Sequence, residues 1–396
     1  MVFNSNQEDH FLRPETSSTP GGRLTFVIYQ MSGGGAQRVL SIIANYFSEK
    51  GWGITLLTFD DGSLPSFYKL HPSIQCRSLS IMRDQGSFFN ALSVHLMRPF
   101  ILRRAIQQSK ADIVITFIDL TNILTLVATL GIRLPVVISE RVNPAYHSVG
   151  SFWSTIRKLV YRRASCLVVQ TKDALSCFSP AIQIKAKVIP NPIISPEVLN
   201  DEQEKQSEKS PKILMAMGRL CEQKGFDLLL KAFAQIESQY PNWKLNIWGE
   251  GEKRKSLEEL RDELGLKERV HFKGMIQDHY NAMQLANIFV LSSRYEGFPN
   301  VLGEAMACGL PVISFDCPSG PREMIIHEVN GLLVPNINSN DLALGIQRLM
   351  ENEAMANRLG NEARKVTETF SLNKIMNMWE KLIMKIIDNE KTKKQS

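Results

Sequence analysis

The stretch "NIFVLSSRYEGFPNVLGEAMACGLPVISF", residues 287–315, decides the fold class. "NIFVLSS" and "LPVISF" are short, continuous apolar runs, the composition of strands buried on both faces. Between them, "VLGEAMACG" reads as a short helix closed by Gly309, which can take the left-handed conformation of a helix end. Strand, loop, helix and strand in succession make a βαβ unit, and βαβ units build parallel sheets. The loop "RYEGFPN" sets Glu296 at the mouth of the first strand, and Glu304 falls about one turn into the helix. That spacing can lay both carboxylates along one elongated ligand. A carboxylate accepts two hydrogen bonds and so suits the vicinal hydroxyls of ribose or a hexose. Gly297 and Phe298 can offer backbone N–H groups beside it. An acid/base pair, a metal site and plain surface charge are the other readings of two glutamates. No D-x-D and no His/Asp cluster occurs in the chain, which leaves the metal reading poor.

The same alternation runs through most of the 396 residues. "RLTFVIYQ", "GITLLTF", "ADIVITF", "LPVVIS", "SCLVVQT" and "AKVIP" are the strands of a first unit. "ILMAMGRL", "WKLNIWG", "RVHFKG", "NIFVLSS", "LPVISF" and "GLLVP" are those of a second. The charged run "NDEQEKQSEKSPK" (200–212) has no large apolar residue and reads as the linker. The expected division is a flexible tail (1–22), a first doubly wound α/β unit (23–198), a linker (199–212) and a second such unit (213–370). Residues 113–132 approach the length of a membrane span. Asp119 and Asn122 interrupt them, and a buried strand followed by a core helix fits better.

Apolar content of 44% and charged content of 22% are those of a soluble globular protein. The net charge of +6 is uneven: residues 1–190 carry 20 Lys/Arg against 11 Asp/Glu, and the remainder carries 26 against 29. The first half is therefore expected to meet something anionic, a membrane surface, a lipid phosphate or nucleic acid. No motif that reads nucleic acid accompanies the charge, so a nucleic-acid partner is not expected. Two apolar and basic helical stretches, 96–110 and 152–166, are either ordinary packed helices or docking elements for an anionic leaflet. The six cysteines show no C-x-x-C pair and read as reduced thiols of a cytosolic protein. The N-terminus shows no apolar signal segment.

Four further motifs follow strands. "YQMSGGGAQRVL" puts Gly33, Gly34 and Gly35 ahead of a helix, either a plain tight turn or a backbone that approaches phosphate. It is not G-x-G-x-x-G, so a dinucleotide site is weakly supported. "AMGRLCEQKG" places Gly218 at a strand end with Arg219 and Lys224 after it. These cations are either solvated surface groups or a clamp for a diphosphate. "NIWGEGEK" sets Glu250 between two glycines on the same rim. "CPSGPREMI" makes a rigid turn before Arg322 and Glu323.

Taken together, G-R-L…K-G, G-E-G and E-G-F-P-N-x-x-x-E-A-x-A-C-G-x-P-V-I-S resemble the retaining GT-B glycosyltransferases of family 4, the E-x7-E group, over residues 23 to 385. "GGGAQRVLSIIANYFSEKG", "SERVNP" (139–144) and "CPSGPRE" resemble the subset that extends bacterial lipid-linked glycans with UDP-sugars, GalNAc and galactose transferases included. The resemblance implies a GT-B fold: two Rossmann-like domains facing across a cleft, an acceptor-side first domain, a nucleotide-sugar-binding second domain, and a C-terminal helix (371–396) that packs back toward the first and ends in a basic tail. It implies that Glu304 holds the ribose, that Glu296 faces the donor sugar or its phosphate, and that Arg219 and Lys224 neutralise the departing diphosphate. Catalysis would rest on Arg219, Lys224 and Glu296. The donor would be bound by Gly34, Gly35, Gly218, Glu250, Gly297, Phe298, Pro299, Asn300 and Glu304. Asn191 falls near the hinge in the matching "PNP" position. Where many relatives carry a histidine near the sugar, this chain offers Asp119 and Thr121 instead.

The implied activity is transfer of a hexose or N-acetylhexosamine from a UDP-sugar, without a metal or other cofactor, to a glycan acceptor linked to polyprenyl diphosphate. The expected place is the inner face of the cell membrane, peripherally bound. Two alternatives carry different outcomes: a sugar-nucleotide epimerase or hydrolase of similar fold, and a non-catalytic subunit that binds nucleotide sugar.

Overall fold

The computed structural model describes residues 21–82, 88–146, 150–194, 196, 211–276 and 278–395. The tail expected at 1–22 and the linker expected at 199–212 lie almost wholly outside them. The first sheet is built from β1 (Arg23–Ile28), β2 (Gly53–Thr58), β3 (Gln75–Ser78), β4 (Ile113–Phe117), β5 (Val136–Ser139), β6 (Cys166–Val169) and β7 (Ala186–Val188). The second contains β8 (Lys212–Met217), β9 (Trp243–Trp248), β10 (Val270–Gly274), β11 (Ile288–Leu291), β12 (Val312–Phe315) and β13 (Leu332–Val334). Their orders are β3-β2-β1-β4-β5-β6-β7 and β10-β9-β8-β11-β12-β13, with every ladder parallel. This is the two-sheet GT-B architecture.

The apolar runs explain the layering. β4, β5, β6, β11 and β12 are buried at every position. Helices cover both faces of each sheet, so each sheet has a core on either side. β3 is the exception: "QCRS" is exposed at all four positions. It has no apolar pattern, and it exists because it pairs with the edge of β2. Residues 113–132 form β4 and the helix Asp119–Ala128, and among the described residues no helix is long and apolar enough to cross a membrane.

The chain crosses between the two units twice at one place. Ile193 pairs with Ser371 as an isolated bridge, and the Ile193 amide donates to Phe370 O at 2.8 Å. The helix Leu372–Gln395 then lies on the first sheet. Ile375, Met376, Trp379 and Ile383 enter that sheet's core, and Lys50 pairs with Glu380 at 2.5 Å.

Each sheet reverses its strand order once, between β1 and β4 and between β8 and β11. Open parallel sheets bind ligands at the carboxyl ends of such switch-point strands. The glycine turn follows β1, "GRLCEQK" follows β8, and "SSRYEGFPN" follows β11, so the topology itself gathers these loops.

Candidate active site

Glu304 lies in the helix Asn300–Ala307 and is 5% exposed. Its Oε1 is held in an ion pair by Arg38, which the first helix, Gly35–Glu49, carries from the opposite unit. Its Oε2 lies 2.9 Å from His279 Nε2. That nitrogen is also 2.9 Å from Arg38 Nη1. One ring nitrogen cannot accept from a guanidinium and donate to a carboxylate at once. The anion favours the proton on Nε2, pointing at Glu304. Burial pushes the Glu304 carboxyl up, but Arg38 and His279 outweigh burial and hold it below the ordinary glutamate range. Each oxygen keeps a lone pair beyond these contacts, so the carboxylate can still accept from a ligand hydroxyl.

Glu296 is equally buried. Its Oε1 accepts from Lys224 Nζ and from Ser293 Oγ, each at 2.6 Å, and Oε2 accepts no hydrogen bond among the described residues. Lys224 reaches it from the short turn Glu222–Lys224, its aliphatic stem running over Gly218. The ammonium uses one of its three donors on Glu296. The loop below is anchored by Arg294, whose two terminal nitrogens grip Asp227 at 2.8 and 2.7 Å. Arg219 is exposed and has no ion pair among the described residues. Glu250 is exposed and paired with Arg254 one helical turn on. Between these loops Gly249, at φ 134°, sits so close to Gly218 O that a Cβ would collide with that backbone.

The opposite rim closes on these groups. The Gly34 amide donates to Tyr68 Oη at 3.1 Å, and that hydroxyl donates back to Gly34 O at 3.0 Å. The Gly34 amide, one of those expected to approach phosphate, is thus already engaged. A Cβ on Gly297 would stand 2.5 Å from Arg141 O, so only glycine allows these two backbones to meet. Phe298 turns its ring edge-on to Phe370 in the core. Pro299 precedes the helix and packs against Gly320. A chain of hydrogen bonds spans the two units: Arg141 Nη1 to Asn191 Oδ1 at 2.6 Å, Asn191 Nδ2 to Asn300 Oδ1 at 2.7 Å, and Asn300 Nδ2 to Gly35 O at 3.4 Å. Tyr146 stacks on Tyr295, and Asn143 Nδ2 donates to Ser319 Oγ at 2.5 Å.

Asp119 and Thr121 are both buried at the carboxyl end of β4. Asp119 caps the Leu120 amide at 2.7 Å and stands near Glu140, which is held by the Tyr161 hydroxyl. Burial, reinforced by Asp119, pushes the Glu140 carboxyl up to about 7. A carboxyl with a raised folded pKa keeps a proton that the unfolded chain gives up. Its contribution is neutral below the unfolded pKa, and stability is lost as pH rises from about 4.5 to 7. Glu140→Gln should therefore be more stable than the parent at pH 8 by on the order of 3 kcal/mol, with the gap closing by pH 4.5. Melting curves across that range check it, and a gap that does not change with pH would exclude the titration.

Sequence reasoning assigned no role to Arg38, His279, Tyr68 or Arg141. Arg38 and Arg141 stood inside quoted motifs, whereas His279 lies on a short helix that only the sheet topology brings to Glu304.

Two family models match the chain: "Glycosyl transferase 4-like domain" over residues 33–192 and "Glycosyl transferases group 1" over residues 198–366. Together they cover both units from the glycine turn after β1 to residue 366. The chain is a GT4-type glycosyltransferase. It is 29% identical, over 92% of its length and 99% of the relative's, to GalNAc-alpha-(1->4)-GalNAc-alpha-(1->3)-diNAcBac-PP-undecaprenol alpha-1,4-N-acetyl-D-galactosaminyltransferase of Campylobacter jejuni. It is 27% identical, over 89% and 97%, to that organism's N-acetylgalactosamine-N,N'-diacetylbacillosaminyl-diphospho-undecaprenol 4-alpha-N-acetylgalactosaminyltransferase. Among solved structures, sucrose-phosphate synthase of Thermosynechococcus elongatus superposes with a TM-score of 0.81 at 21% identity, covering 93% of this chain and all of that one. The fold and the transferase class expected from the motifs are those found.

Proposed function

We propose that this glycosyltransferase moves a hexose or N-acetylhexosamine from a UDP-sugar to a hydroxyl of a glycan carried on polyprenyl diphosphate, with retention of configuration and without a metal ion. The observation that carries the reading is the pair of buried carboxylates along one wall of the cleft. Glu304 is aligned by Arg38 and His279, and Glu296 by Lys224 and Ser293. In this reading Glu304 accepts from the ribose hydroxyls. Glu296 fixes Lys224 and turns its open Oε2 toward the sugar end. Lys224 and the exposed Arg219 meet the charge that grows on the diphosphate as the anomeric bond breaks. Preorganised cations aimed at developing charge are commonly the largest catalytic contribution, and here they stand in for a metal. Among the described residues no group of three or more His, Cys, Asp or Glu is gathered that could hold one. The polar contacts across the cleft would exclude water from the bond being broken.

The lipid-linked acceptor is supported by the two full-length relatives, whose names specify acceptors built on diphospho-undecaprenol. The surface of the first unit is consistent with a membrane-carried acceptor. The helices Phe88–Ser109 and Ser151–Val160 both pack on the helix Asp119–Ala128 and expose Met97, Phe100, Phe152 and Leu159 beside Arg104, Arg157 and Lys158. The helix Ser151–Val160 buries no residue at all. Binding to vesicles containing anionic lipid should fall steeply as salt is raised; equal binding to neutral vesicles would remove the electrostatic part.

The test of function is UDP release from a series of UDP-sugars, with and without a polyprenyl-diphosphate-linked saccharide. Release that depends on the acceptor is expected. An epimerised sugar formed without acceptor would point to the epimerase reading, and binding without turnover would point to the non-catalytic subunit.

A further inference from the structure

Arg141 follows β5 in the segment "SERVNP" and sits where the two units meet. Its guanidinium lies over the Phe117 ring, 4.3 Å from the centroid, and its carbonyl touches Gly297 in the opposite unit. Only Nη1 is used, in the bond to Asn191. Nε and Nη2 are buried and have no hydrogen-bond partner among the described residues. Those two nitrogens form the side-on edge of the guanidinium, the edge that grips a carboxylate or phosphate with two parallel bonds. Among the described residues no carboxylate forms an ion pair with the group, and burial alone pulls its pKa down to about 9, so it remains a cation at neutral pH.

Such an arrangement is costly. A buried charge left without a partner gives up much of its solvation, and the aromatic face returns only part of it. A folded core has no use for an open guanidinium fork, whereas a binding site does. The position narrows the ligand. Arg141 meets the loop of Glu296 and Gly297 directly and is linked through Asn191 to Asn300 at the start of the Glu304 helix.

We infer that the Nε–Nη2 edge of Arg141 binds a phosphate oxyanion of a substrate at the sugar end of the cleft, a contact from the acceptor-side unit that complements Lys224. This rests on the glycosyltransferase reading of the cleft. The oxyanion can come from the donor's diphosphate or from the diphosphate that carries the acceptor.

Calorimetry on the full chain separates the sources, with uridine, UDP, inorganic diphosphate and farnesyl diphosphate as probes. Arg141→Gln should lose about tenfold to a hundredfold in affinity for UDP and diphosphate if the donor supplies the oxyanion. It should lose that factor for farnesyl diphosphate alone if the acceptor does. Uridine binding should not change, and melting in buffer should be equal or higher, because an unpaired buried charge has been removed. Arg141→Lys restores a charge without the fork and should recover only part of the loss; it also serves if the glutamine variant does not fold. Unchanged affinity for every anion, or a lower melting temperature with anion binding intact, would overturn the proposal in favour of a structural strut. A parent protein that binds diphosphate but not UDP would sink the UDP-donor reading and leave the Arg141 site standing.

Discussion

Lys224→Ala should lower turnover by about a hundredfold to a thousandfold at saturating donor, with a much smaller change in KM. The reasoning starts from charge. As the anomeric bond breaks, negative charge grows on the diphosphate, and an ammonium fixed before the reaction gains most at that moment. Lys224 is fixed in this way, since its Nζ is held at 2.6 Å by a carboxylate that is itself buried and held by Ser293. The single variant is ambiguous because it also strips the buried Glu296 of its counter-charge, which destabilises by a few kcal/mol whatever the chemistry. Glu296→Gln in the same chain resolves this. If Lys224 serves only to neutralise Glu296, the double variant should recover stability and match the turnover of Glu296→Gln alone. If Lys224 acts on the leaving group, the double variant should recover stability and turn over well below Glu296→Gln alone. Rates of UDP release and melting curves on the four proteins of the cycle give both answers.

The legibility of this chain differs from element to element for physical reasons. β4, β5, β11 and β12 announce themselves because burial on both faces demands continuous Val, Ile, Leu and Phe. β3 gives no such signal, since an exposed edge strand is held by its backbone pairing and not by its side chains. Glu296, Glu304, Lys224 and Asn191 were readable because each follows a strand in a motif of fixed spacing, and the folded chain brings all four to one cleft. Their partners were not. The contact of Arg38 with Glu304 joins residues far apart in sequence, and the one between His279 and Glu304 depends on how the helix His279–Gln284 packs on the helix Asn300–Ala307. Spacing carries information about one element and its loop. It carries little about which side chain the opposite sheet will present, and that is where Arg38, Tyr68 and Arg141 come from.

The same cross-cleft contacts make Glu304 the sharpest test of the donor reading. Its carboxylate is presented ionised, its pKa held below the ordinary range by Arg38 and His279 in spite of burial. Hydrogen bonds to a charged acceptor contribute about 1.5–3 kcal/mol each. Glu304→Gln keeps the shape and removes the charge, and it should weaken UDP by about tenfold to a hundredfold. Weaker UDP alone would not assign the ribose, because a carboxylate that clamps Arg38 also helps to hold the two units together. The discriminating ligand is 2′,3′-dideoxy-UDP, which lacks the hydroxyls that Glu304 would accept. A ribose grip predicts that the parent protein favours UDP over the dideoxy analogue, that Glu304→Gln loses this preference, and that both proteins bind the analogue alike. A clamp between the units predicts instead that both ligands weaken together, and that Arg38→Gln reproduces the full loss. Competition calorimetry with the two nucleotides on the three proteins decides between them. Equal losses for UDP and its dideoxy form would transfer Glu304 from the donor's grip to the architecture of the cleft.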